Sequence, residues 1–519
     1  MKPDLAGLIA ALSDPRLYPE ATTGVGLVQT QMSCVFLTDE YAYKIKKPVN
    51  LGYVDYTTLA KRRYFCERET LLNRRLCPSV YLGVVSITFD GSSFAFDGAG
   101  EVAEYAVRML RLPDERLLDN MLKRNAATPE MMDTVAGKLA EFHRTAETNE
   151  RIAAFGSVAT ITQNTEENFS QTQKYLGRSI SEKQFNQIRD YTRGFIRDNK
   201  EIFERRIKEG RIRDCHGDLH AQHICFCHDL CIFDCIEFNE RFRYCDVASE
   251  AAFLAMDLDR YGRADLGRRF IKEYISRSGD TDIPVLLNFF KCYRAYVRGK
   301  VASFKLDDPL VSQDDKRESA ELAQGYFDLA KAYTHGKPLL VVMVGLVGSG
   351  KTTLANALAQ RLGAVHISSD VTRKRLAGIP ETEHRYDEPA SGIYSPEFNR
   401  RTYDAIFAQA EEVLKDGGSV VLDAAFLKQA ERERALTMAQ ELGVDYLVME
   451  CRITSELTQK RLLQRCGEVS ASDGRWEIYL MQTGWFEPVK GVPPEAYILI
   501  DTSQPLAQNI RQVLDKVGC

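Results

Sequence analysis

Residues 341–354 read VVMVGLVGSGKTTL, and they decide the fold of the last third of the chain. The stretch contains the G-x-x-x-x-G-K-[ST] motif, from Gly345 to Thr352. Its glycines let the backbone curl so that successive N–H groups point at one anion. In this motif the lysine reaches the β- and γ-phosphates, and the hydroxyl binds Mg²⁺. An apolar strand before the motif and a helix after it complete an arrangement that binds phosphate. The motif therefore predicts a site for ATP and Mg²⁺.

The rest of the last third agrees with this motif. Strand-like and helix-like segments alternate from residue 338 to 519, a pattern typical of a parallel sheet that lies between helices. Lys351 is predicted to act in catalysis as well as in nucleotide binding, and Thr352 to bind Mg²⁺. The predicted nucleotide contacts of the loop are Gly345, Gly348, Ser349, Gly350, Lys351, Thr352 and Thr353.

Length and composition limit the classes of protein that fit. A chain of 519 residues is too long for one hydrophobic core and implies two or three domains. The net charge of −5 argues against a broad contact with nucleic acid, although a local basic groove is compatible with it. No apolar run reaches the roughly 18–20 residues that span a bilayer. Ser13, Asp14 and Pro15 interrupt the apolar turns near the start. We therefore expect a cytoplasmic protein without a signal peptide or membrane contact.

Cysteines and histidines cluster between residues 215 and 245. Zinc binding is one interpretation, because both side chains are common zinc ligands. The stretch has no C-x-x-C pair, however, and Cys225, Cys227, Cys231 and Cys235 lie in strand-like apolar runs. We therefore favour structural, unpaired cysteines, which behave as small buried hydrophobic side chains in an intracellular protein.

A second group of charged residues follows the phosphate loop. Asp370 comes nineteen residues after Lys351, about one helix and one strand later. There its carboxylate is placed to take the proton of an acceptor hydroxyl. Arg373, one helical turn further on, is placed to bind a phosphate or carboxylate of the acceptor. Capping of the next helix by Ser369 or Asp370 is an alternative role that is compatible with the first. Asp370 and Arg373 are thus predicted catalytic residues.

Further acidic and basic residues complete the predicted site. Asp423 ends the next apolar strand, which predicts a place among the Mg²⁺ ligands. Arg432 is predicted to face the acceptor pocket. Arg461 and Arg465 share one helix face before the polar segment 466–475, where a lid would close on ATP. Arg465 is therefore a predicted nucleotide contact, whereas for Arg461 a solvated basic surface is nearly as good an interpretation.

The Ser-Asp-x-x-Arg pattern at residues 369–373 resembles P-loop kinases of the polynucleotide-kinase-like and zeta-toxin-like groups. The whole segment 338–519 resembles the AAA_33-type kinase domains of the P-loop superfamily. This resemblance implies ATP-dependent transfer of phosphate to a hydroxyl group. It does not identify the acceptor, because a fold does not determine its substrate.

The first two thirds of the chain contain a second set of phosphotransfer residues. Strand-like segments and one helix form a β-rich part up to residue 112, and helices dominate from there to residue 335. Within the helical part, Asp218 and Asp234 lie sixteen residues apart, next to short apolar strands. Phosphate transfer needs one carboxylate to accept the hydroxyl proton and another to bind Mg²⁺.

This arrangement resembles the aminoglycoside phosphotransferase and choline kinase branch of the protein-kinase-like fold, over roughly residues 20–330. The shared pattern is an H-G-D sequence ending at Asp218, followed by an apolar strand that ends in Asp234. The resemblance implies that Asp218 is the catalytic base and Asp234 a Mg²⁺ ligand. Asp246 matches the structural aspartate that begins the next helical region in this branch.

The same resemblance implies a lysine in the β-rich lobe and a glutamate that pairs with it. Lys44 is predicted to bind the nucleotide, and Lys46, on the same side of its strand, is the alternative. Glu69 of the following helix is the predicted partner, since Glu67 lies on another helix face. Residues that fall near a nucleotide-covering turn are Gly24, Gly26 and Ser33.

One position departs from the family pattern. His223 stands five residues after Asp218, where the pattern has a metal-binding asparagine. Imidazole is a poor ligand for Mg²⁺, which prefers oxygen. Three interpretations follow: Gln222 takes over the role, the site uses one metal ion, or this half binds nucleotide without transferring phosphate.

We therefore predict a multidomain chain of α/β and α+β class. A kinase-like β-rich small lobe occupies residues 1–112, a helical large lobe residues 113–335 and a P-loop kinase domain residues 338–519. This fused order resembles bacterial proteins described as bifunctional aminoglycoside-phosphotransferase-like and ATP-binding proteins. The leading function is a bifunctional ATP-dependent kinase with two nucleotide sites that act on small-molecule hydroxyls. The alternatives are a nucleic-acid end kinase and an ATP-driven regulatory protein with a pseudokinase first half.

Overall fold

The computed structural model describes residues 4–227, 229–309, 311–381, 383, 391–464 and 473–517. Contacts within the chain divide it into two compact units. The first unit contains Met1–Thr165, Ile196–Asp257 and Arg268–Phe290, and the second contains Glu166–Phe195, Leu258–Gly267 and Lys291–Cys519. The predicted helical lobe contributes residues to both units. The predicted domain boundaries themselves remain a prediction.

Helices account for most of the chain outside its sheets. They are α1 Leu5–Leu12, α2 Leu59–Asn73, α3 Leu118–Lys123, α4 Pro129–Thr145, α5 Glu150–Ala153, α6 Val158–Thr172, α7 Glu182–Asp198, α8 Lys200–Lys208, α9 Glu240–Arg243, α10 Val247–Arg260, α11 Ala264–Ser278, α12 Ile283–Phe304, α13 Gln313–Ala332, α14 Lys351–Leu362, α15 Ser369–Leu376, α16 Pro396–Lys415, α17 Gln429–Glu441, α18 Ser455–Gln464, α19 Trp476–Trp485 and α20 Leu506–Lys516. Within the described residues, none of them combines the length and the apolar character needed to cross a membrane.

The first unit is built on a six-stranded antiparallel sheet. Its strands are β1 Gly26–Gln29, β2 Ser33–Leu37, β3 Tyr41–Lys46, β4 Tyr81–Phe89, β5 Phe94–Phe96 and β6 Glu101–Leu110. They pair in the order β1-β2-β3-β6-β4-β5. The apolar sequence of residues 25–37 predicts a single strand, but the structure divides it into β1 and β2. The Thr30 hydroxyl accepts the N–H groups of Met32 and Ser33 and closes a turn between two strands.

Two hydrophobic cores hold this sheet. Phe36, Tyr43 and Ile87 belong to one of them, which also includes buried leucines of α1. Cys66 of α2 and Val107 of β6 belong to the other. Because neighbouring residues of a strand face opposite sides of a sheet, the β-rich lobe can bury both faces. Helix α2 packs against β4 and β6, so its buried residues lie against the sheet.

Two short antiparallel strand pairs position the segment with the two predicted carboxylates. The pairs are β7 Ile212–Asp214 with β10 Tyr244–Asp246, and β8 Ile224–Phe226 with β9 Leu230–Ile232. Asp218 follows β7, and Asp234 follows β9. Asp246 ends β10, where its carboxylate accepts hydrogen bonds from the buried Arg206 guanidinium and from the N–H of Ala248 in α10. This geometry fits the structural role predicted for Asp246.

The second unit contains a five-stranded parallel sheet. Its strands are β11 Leu339–Val344, β12 Val365–Ser368, β13 Val420–Asp423, β14 Asp445–Arg452 and β15 Tyr497–Asp501, in the order β12-β13-β11-β14-β15. One face packs against α14 and α20, and the other against α16 and α17. The predicted parallel sheet between helices is confirmed. Since parallel strands end at a common edge, the segments that follow β11, β12 and β13 meet there.

Candidate active sites

The phosphate loop connects β11 to α14, and its shape depends on glycine. Gly345 has φ +150°, a conformation that L side chains rarely adopt. A Cβ at this position would also lie 2.6 Å from the carbonyl oxygen of Cys451. The loop therefore passes so close to β14 that only glycine fits, and α14 begins directly after it at Lys351. The helix N-terminus and the loop N–H groups are placed to meet an anion.

Two side chains of this loop have geometry suited to phosphate. Lys351 Nζ donates a hydrogen bond to the Leu346 carbonyl oxygen at 2.8 Å, across the mouth of the loop. The Ser349 hydroxyl oxygen is buried and has no hydrogen-bond partner among the described residues. A buried, unpartnered hydroxyl is costly unless a ligand satisfies it. The loop thus fits the triphosphate of a nucleotide.

Asp423 lies at the carboxyl end of β13 and is buried. Its carboxylate accepts a hydrogen bond from His366 Nε2 at 3.2 Å and another from the Thr352 hydroxyl. Burial by itself would raise the pKa of Asp423, but His366 and the charge of Lys351 outweigh it and hold the pKa below its ordinary value. An ionised carboxylate beside a hydroxyl is a donor set that fits Mg²⁺. His366 was not predicted, although it is a polar residue within the apolar strand β12.

The structure brings the predicted catalytic and metal-binding residues of this half into one cavity of about 930 Å³. Predicted residues on its lining are Gly348, Gly350, Lys351, Thr352, Asp370, Arg373 and Asp423. The predicted nucleotide contacts Gly345, Ser349 and Thr353 belong to the same loop or to the first turn of α14 but do not line the cavity. The residues predicted to bind phosphate and those predicted to act on the acceptor therefore line one cavity.

Arg373 is held rigidly beside this cavity. It is buried, its Nη1 donates to the Ile393 carbonyl oxygen and to Asn399 Oδ1, and its guanidinium lies 4.9 Å from the centre of the Tyr394 ring. Its Nε is buried without a hydrogen-bond partner among the described residues. A guanidinium that is held in place and has an available N–H donor is suited to bind a carboxylate or a phosphate group.

Sequence reasoning missed two residues that shape this site. The Tyr394 hydroxyl donates to Asp473 Oδ2 at 2.5 Å, and Lys374 Nζ lies 3.5 Å from Asp473 Oδ1. Asp473 lies inside the polar segment that the sequence marks as a lid, so a weak signal for it existed. Tyr394 precedes α16 and has no motif around it, so only the fold shows that it stacks on Arg373.

Two sequence-based roles change with the structure. Arg432 is fully buried, and its guanidinium donates to the carbonyl oxygens of Phe426 and Glu487, so its predicted acceptor role is wrong. Arg461 is not a solvated surface residue, because Nη2 donates to the Thr502 carbonyl oxygen beside the phosphate loop. The predicted nucleotide contact Arg465 lies outside the described residues.

The helix-cap alternative for Ser369 and Asp370 is one residue off. Helix α15 begins at Ser369, its N-cap is Ser368, and the N-cap position shows no side-chain capping hydrogen bond. Asp370 therefore lies in the first turn and on the cavity lining without serving as a cap.

In the first unit, two lysines share one glutamate. Lys44 Nζ lies 2.8 Å from Glu69 Oε1 and 2.6 Å from Asp234 Oδ1. Lys46 Nζ lies 2.8 Å from Glu69 Oε2 and also contacts Glu237. Glu67 pairs instead with Arg63 on the exposed side of α2, as the face argument predicts. The structure therefore brings Lys44, Glu69 and Asp234 together, and the roles assigned to them remain predictions.

The loop that carries Asp218 is held by hydrogen bonds to a buried carboxylate. Buried Glu250 accepts the backbone N–H groups of His216 and Gly217 at 3.0 and 2.6 Å. Gly217 has φ +90°, and a Cβ there would lie 2.9 Å from the Phe242 carbonyl oxygen. The H-G-D sequence is therefore a rigid turn that only glycine permits at its centre. It presents Asp218 on the side where His220 and His223 lie.

His223 takes the place expected for a metal-binding amide. Its Nε2 lies 3.5 Å from Asp234 Oδ2, while its neighbour Gln222 is exposed. Burial, the largest effect, lowers the pKa of His223 to about 4, and His220 adds to the decrease. A neutral imidazole facing the predicted Mg²⁺ ligand does not fit Mg²⁺, which prefers oxygen donors. We therefore derive no step through Mg²⁺ at this site.

Two smaller expectations for the first unit are corrected. Gly26 pairs with Leu37 at the open end of the β1-β2 hairpin, whereas Ser33 lies at its turn, so these residues do not form one covering turn. The prediction of unpaired cysteines is wrong for Cys77 and Cys231, which form a disulfide. Among the described residues, two clusters have the spacing of metal ligands, and neither includes Cys225 or Cys227. His228 lies outside the described residues.

Comparison with known proteins finds similarity to a family model, to curated proteins and to solved structures. Residues 340–488 match the family model AAA_33, described as an AAA domain. Uncharacterized protein Rv2004c of Mycobacterium tuberculosis is 32% identical over 451 residues, which cover 87% of this chain and 88% of that protein. A shikimate kinase of Saccharopolyspora erythraea is 32% identical over 167 residues, which cover 30% of this chain and 88% of the kinase. The solved amicoumacin kinase hAmiN, in complex with AMP-PNP, Ca²⁺ and Ami, is 13% identical over 63% of this chain and 94% of that chain. The TM-score of this match is 0.38.

The fold and the site of the second unit define a P-loop kinase domain of the AAA_33 type. The chain as a whole belongs to the same family as the Mycobacterium tuberculosis protein Rv2004c, because the two align over most of both lengths.

Proposed function

We propose that the protein is an ATP-dependent kinase that transfers the γ-phosphate of ATP to a hydroxyl group of a small molecule. One observation carries this proposal: Lys351 and Thr352 of the phosphate loop line the same cavity as Asp370 and Arg373. Donor and acceptor can therefore lie side by side, which is the main requirement of phosphate transfer. We expect this activity in the cytoplasm, where ATP is plentiful.

Four residues that line the cavity have a task in the proposed reaction. Asp370 accepts the proton of the acceptor hydroxyl. The hydroxyl oxygen forms a bond to the γ-phosphorus while the bond from this phosphorus to the leaving ADP oxygen breaks. Lys351 and the loop N–H groups stabilise the negative charge on the transferred group. Thr352 and Asp423 would hold Mg²⁺, which neutralises phosphate charge when bound.

The acceptor is proposed to carry an anionic group besides its hydroxyl. The buried, pre-positioned guanidinium of Arg373 supports this choice, because its unused Nε donor needs an anionic or carbonyl partner. Shikimate, the substrate named for the similar kinase, is such a hydroxy acid. We therefore propose small hydroxy acids as the first acceptor class to test.

Replacing Arg373 with alanine is expected to raise the KM for an anionic acceptor by about 10–100-fold, because one or two charge-assisted hydrogen bonds contribute about that much to binding. The KM for ATP is expected to stay within about threefold, because Arg373 is placed on the acceptor side. Steady-state kinetics with both substrates measures this separation. Arg511→Ala, on the exposed side of α20, is the matched control. Equal increases in both KM values would contradict an acceptor role for Arg373.

For the first unit we propose a second nucleotide site, which makes the protein bifunctional. The support is the contact of Lys44 with Glu69 and Asp234, together with the rigid turn that carries Asp218. In this proposal Lys44 binds phosphate and Asp218 is the base. The alternative, a regulatory unit without phosphate transfer, is favoured by His223, whose ring lies between Asp218 and Asp234.

ATP consumption over an acceptor panel tests the proposed function. The panel contains small hydroxy acids, sugars, aminoglycosides, nucleosides and oligonucleotides with a 5′ hydroxyl. We expect one or more small molecules to stimulate turnover, with the phosphorylated product identified by mass spectrometry. Stimulation by oligonucleotides alone would reject the small-molecule proposal in favour of a nucleic-acid end kinase, which the net charge of −5 does not favour.

A further inference from the structure

The peptide group between Leu346 and Val347 in the phosphate loop is held on both of its sides. On one side, the Leu346 carbonyl oxygen accepts hydrogen bonds from Lys351 Nζ at 2.8 Å and from the Ser349 N–H group at 3.2 Å. On the other side, the Val347 N–H group donates to Gln482 Oε1 at 2.7 Å. Because the C=O and N–H bonds of a trans peptide group point in opposite directions, Lys351 and Gln482 lie on opposite sides of it.

The contact with Gln482 comes from outside the loop. Gln482 lies in α19, 135 residues after Val347 along the chain. The hydrogen bond from Ser349 to Leu346 closes a tight turn, and such a turn does not use the N–H group of its second residue, here Val347. Gln482 supplies the hydrogen-bond acceptor for that N–H group, at a distance typical of a well-formed bond.

Helix α19 gives Gln482 a fixed position. Tyr479, three residues before Gln482, is buried. Just after the helix, Phe486 packs against the hydrophobic core on one face of the parallel sheet, and the Glu487 N–H group donates to the Leu427 carbonyl oxygen at 3.0 Å. The helix is therefore attached to the sheet, and a side chain that it carries can hold the loop in place.

The helix face that carries Gln482 also lines the cavity. Ile478, Gln482 and Trp485 follow one another at intervals of four and three residues, so they share one face of α19. All three line the cavity that also contains Lys351 and Asp370. Gln482 therefore joins the phosphate loop to a wall of the space in which phosphate transfer is proposed.

Rotation of the Leu346–Val347 peptide group would break the turn hydrogen bond to Ser349. The curl of the loop, which points its N–H groups at one anion, depends on that turn. In the nucleotide-free protein, Lys351 and Gln482 both oppose the rotation. When the Lys351 amine moves to the phosphates, Gln482 is the one of these two side chains that still holds the peptide group.

We propose that Gln482 is a positioning residue of the phosphate loop. It keeps the Leu346–Val347 peptide group oriented while ATP is bound, and it acts on the nucleotide through the loop. This inference rests on the proposed use of the loop as the ATP site, and it adds a residue that none of the motifs in the sequence contains.

Hydrogen exchange of the full-length protein, measured by mass spectrometry, tests the contact. Gln482→Met keeps the length of the side chain and removes its oxygen, so the Val347 amide is expected to exchange about 3–10-fold faster. Gln482→Glu, whose carboxylate accepts the same N–H group, is expected to restore slow exchange. Gln512→Met, on the exposed side of α20, is the matched control and should exchange like the unmodified protein. Unchanged exchange of Val347 in Gln482→Met would overturn the proposal.

The same method measures the affinity of the loop for nucleotide. Protection of residues 345–352 is followed as the concentration of AMP-PNP rises in the presence of Mg²⁺. Gln482→Met is expected to weaken this binding by about 3–10-fold without a change in the thermal midpoint of unfolding. Unchanged affinity, or a loss matched by a lower midpoint, would make Gln482 merely structural and overturn the proposal. Tighter binding would show that Gln482 competes with phosphate for the Val347 N–H group, which overturns it as well.

These measurements need no phosphate acceptor, so they separate the role of Gln482 from the kinase proposal. If Gln482→Met weakens AMP-PNP binding but the acceptor panel yields no phosphorylated product, the inference is supported and the kinase proposal fails. If the panel yields a product and Gln482→Met binds AMP-PNP like the unmodified protein, the inference alone fails. If AMP-PNP does not protect the loop of the unmodified protein, both fail.

Discussion

Replacing Lys351 with alanine is expected to lower the turnover number of the P-loop kinase reaction by about 10²–10³-fold, the usual cost of removing one preorganised donor to a developing negative charge. Lys351 begins α14 and lines the cavity, and its amine already lies across the loop mouth, 2.8 Å from the Leu346 carbonyl oxygen. When the amine moves from this carbonyl oxygen to a phosphate, it exchanges a neutral hydrogen-bond acceptor for a charged one. The protein should still fold, because Lys351 lies outside the two hydrophobic cores that cover the faces of the parallel sheet.

Single-turnover measurement of product formation tests this expectation, with Lys460→Ala as the control. Lys460 is an exposed lysine of α18 that does not line the cavity. The control should keep full activity and the same thermal midpoint. If Lys351→Ala removes every phosphotransfer activity and Asp218→Ala changes none, the first unit is regulatory and the bifunctional proposal fails.

Asp370→Asn is expected to lower the turnover number by about 10²–10⁴-fold, because an amide cannot accept the proton of the acceptor hydroxyl. The substitution keeps the shape of the side chain and removes its negative charge and its basicity. Asp370 lies in the first turn of α15, so the loss of its charge also removes a favourable interaction with the helix dipole, about 0.3–1 kcal/mol. Binding of ATP and of the acceptor is expected to be nearly unchanged.

Rapid-quench kinetics together with calorimetric binding of ATP checks this separation of catalysis from binding. Asp515→Asn, on the exposed face of α20, is the matched control. A variant that loses ATP binding in parallel with turnover would show that Asp370 serves the nucleotide rather than the acceptor. A turnover number within threefold of the unmodified protein would remove Asp370 from the mechanism.

The second unit shows how much a local motif reveals. The sequence Gly345 to Thr352 predicts the turn, the following helix and the phosphate contacts, because glycine spacing and helix start are local properties of the chain. The strands follow from their apolar runs, and the parallel sheet from their alternation with helices. The roles of Arg432 and His366 were not predictable, because each depends on a residue far away in the sequence: Glu487 for the former and Asp423 for the latter.

In the first unit, less of the candidate site could be predicted from the local sequence. Its sequence alone places Lys44, Asp218 and Asp234 in the right order, and the spacing of α2 selects Glu69 over Glu67. Lys44 and Lys46 could not be separated by sequence, since both lie on one face of β3. Only the fold shows that they share Glu69 and that Asp234 contacts Lys44 rather than Lys46. The disulfide between Cys77 and Cys231 spans 154 residues and likewise has no local signal.

By itself, the sequence determined that this protein has a phosphate loop, a parallel sheet behind it and a second group of acidic residues in its first two thirds. These features depend on spacing within one turn, strand or helix. The tertiary structure decided that Arg373 is pre-positioned at the cavity, that Arg432 is structural and that His223 faces both Asp218 and Asp234. Such decisions depend on distances between side chains that are remote along the chain, and packing of the complete fold is what sets those distances.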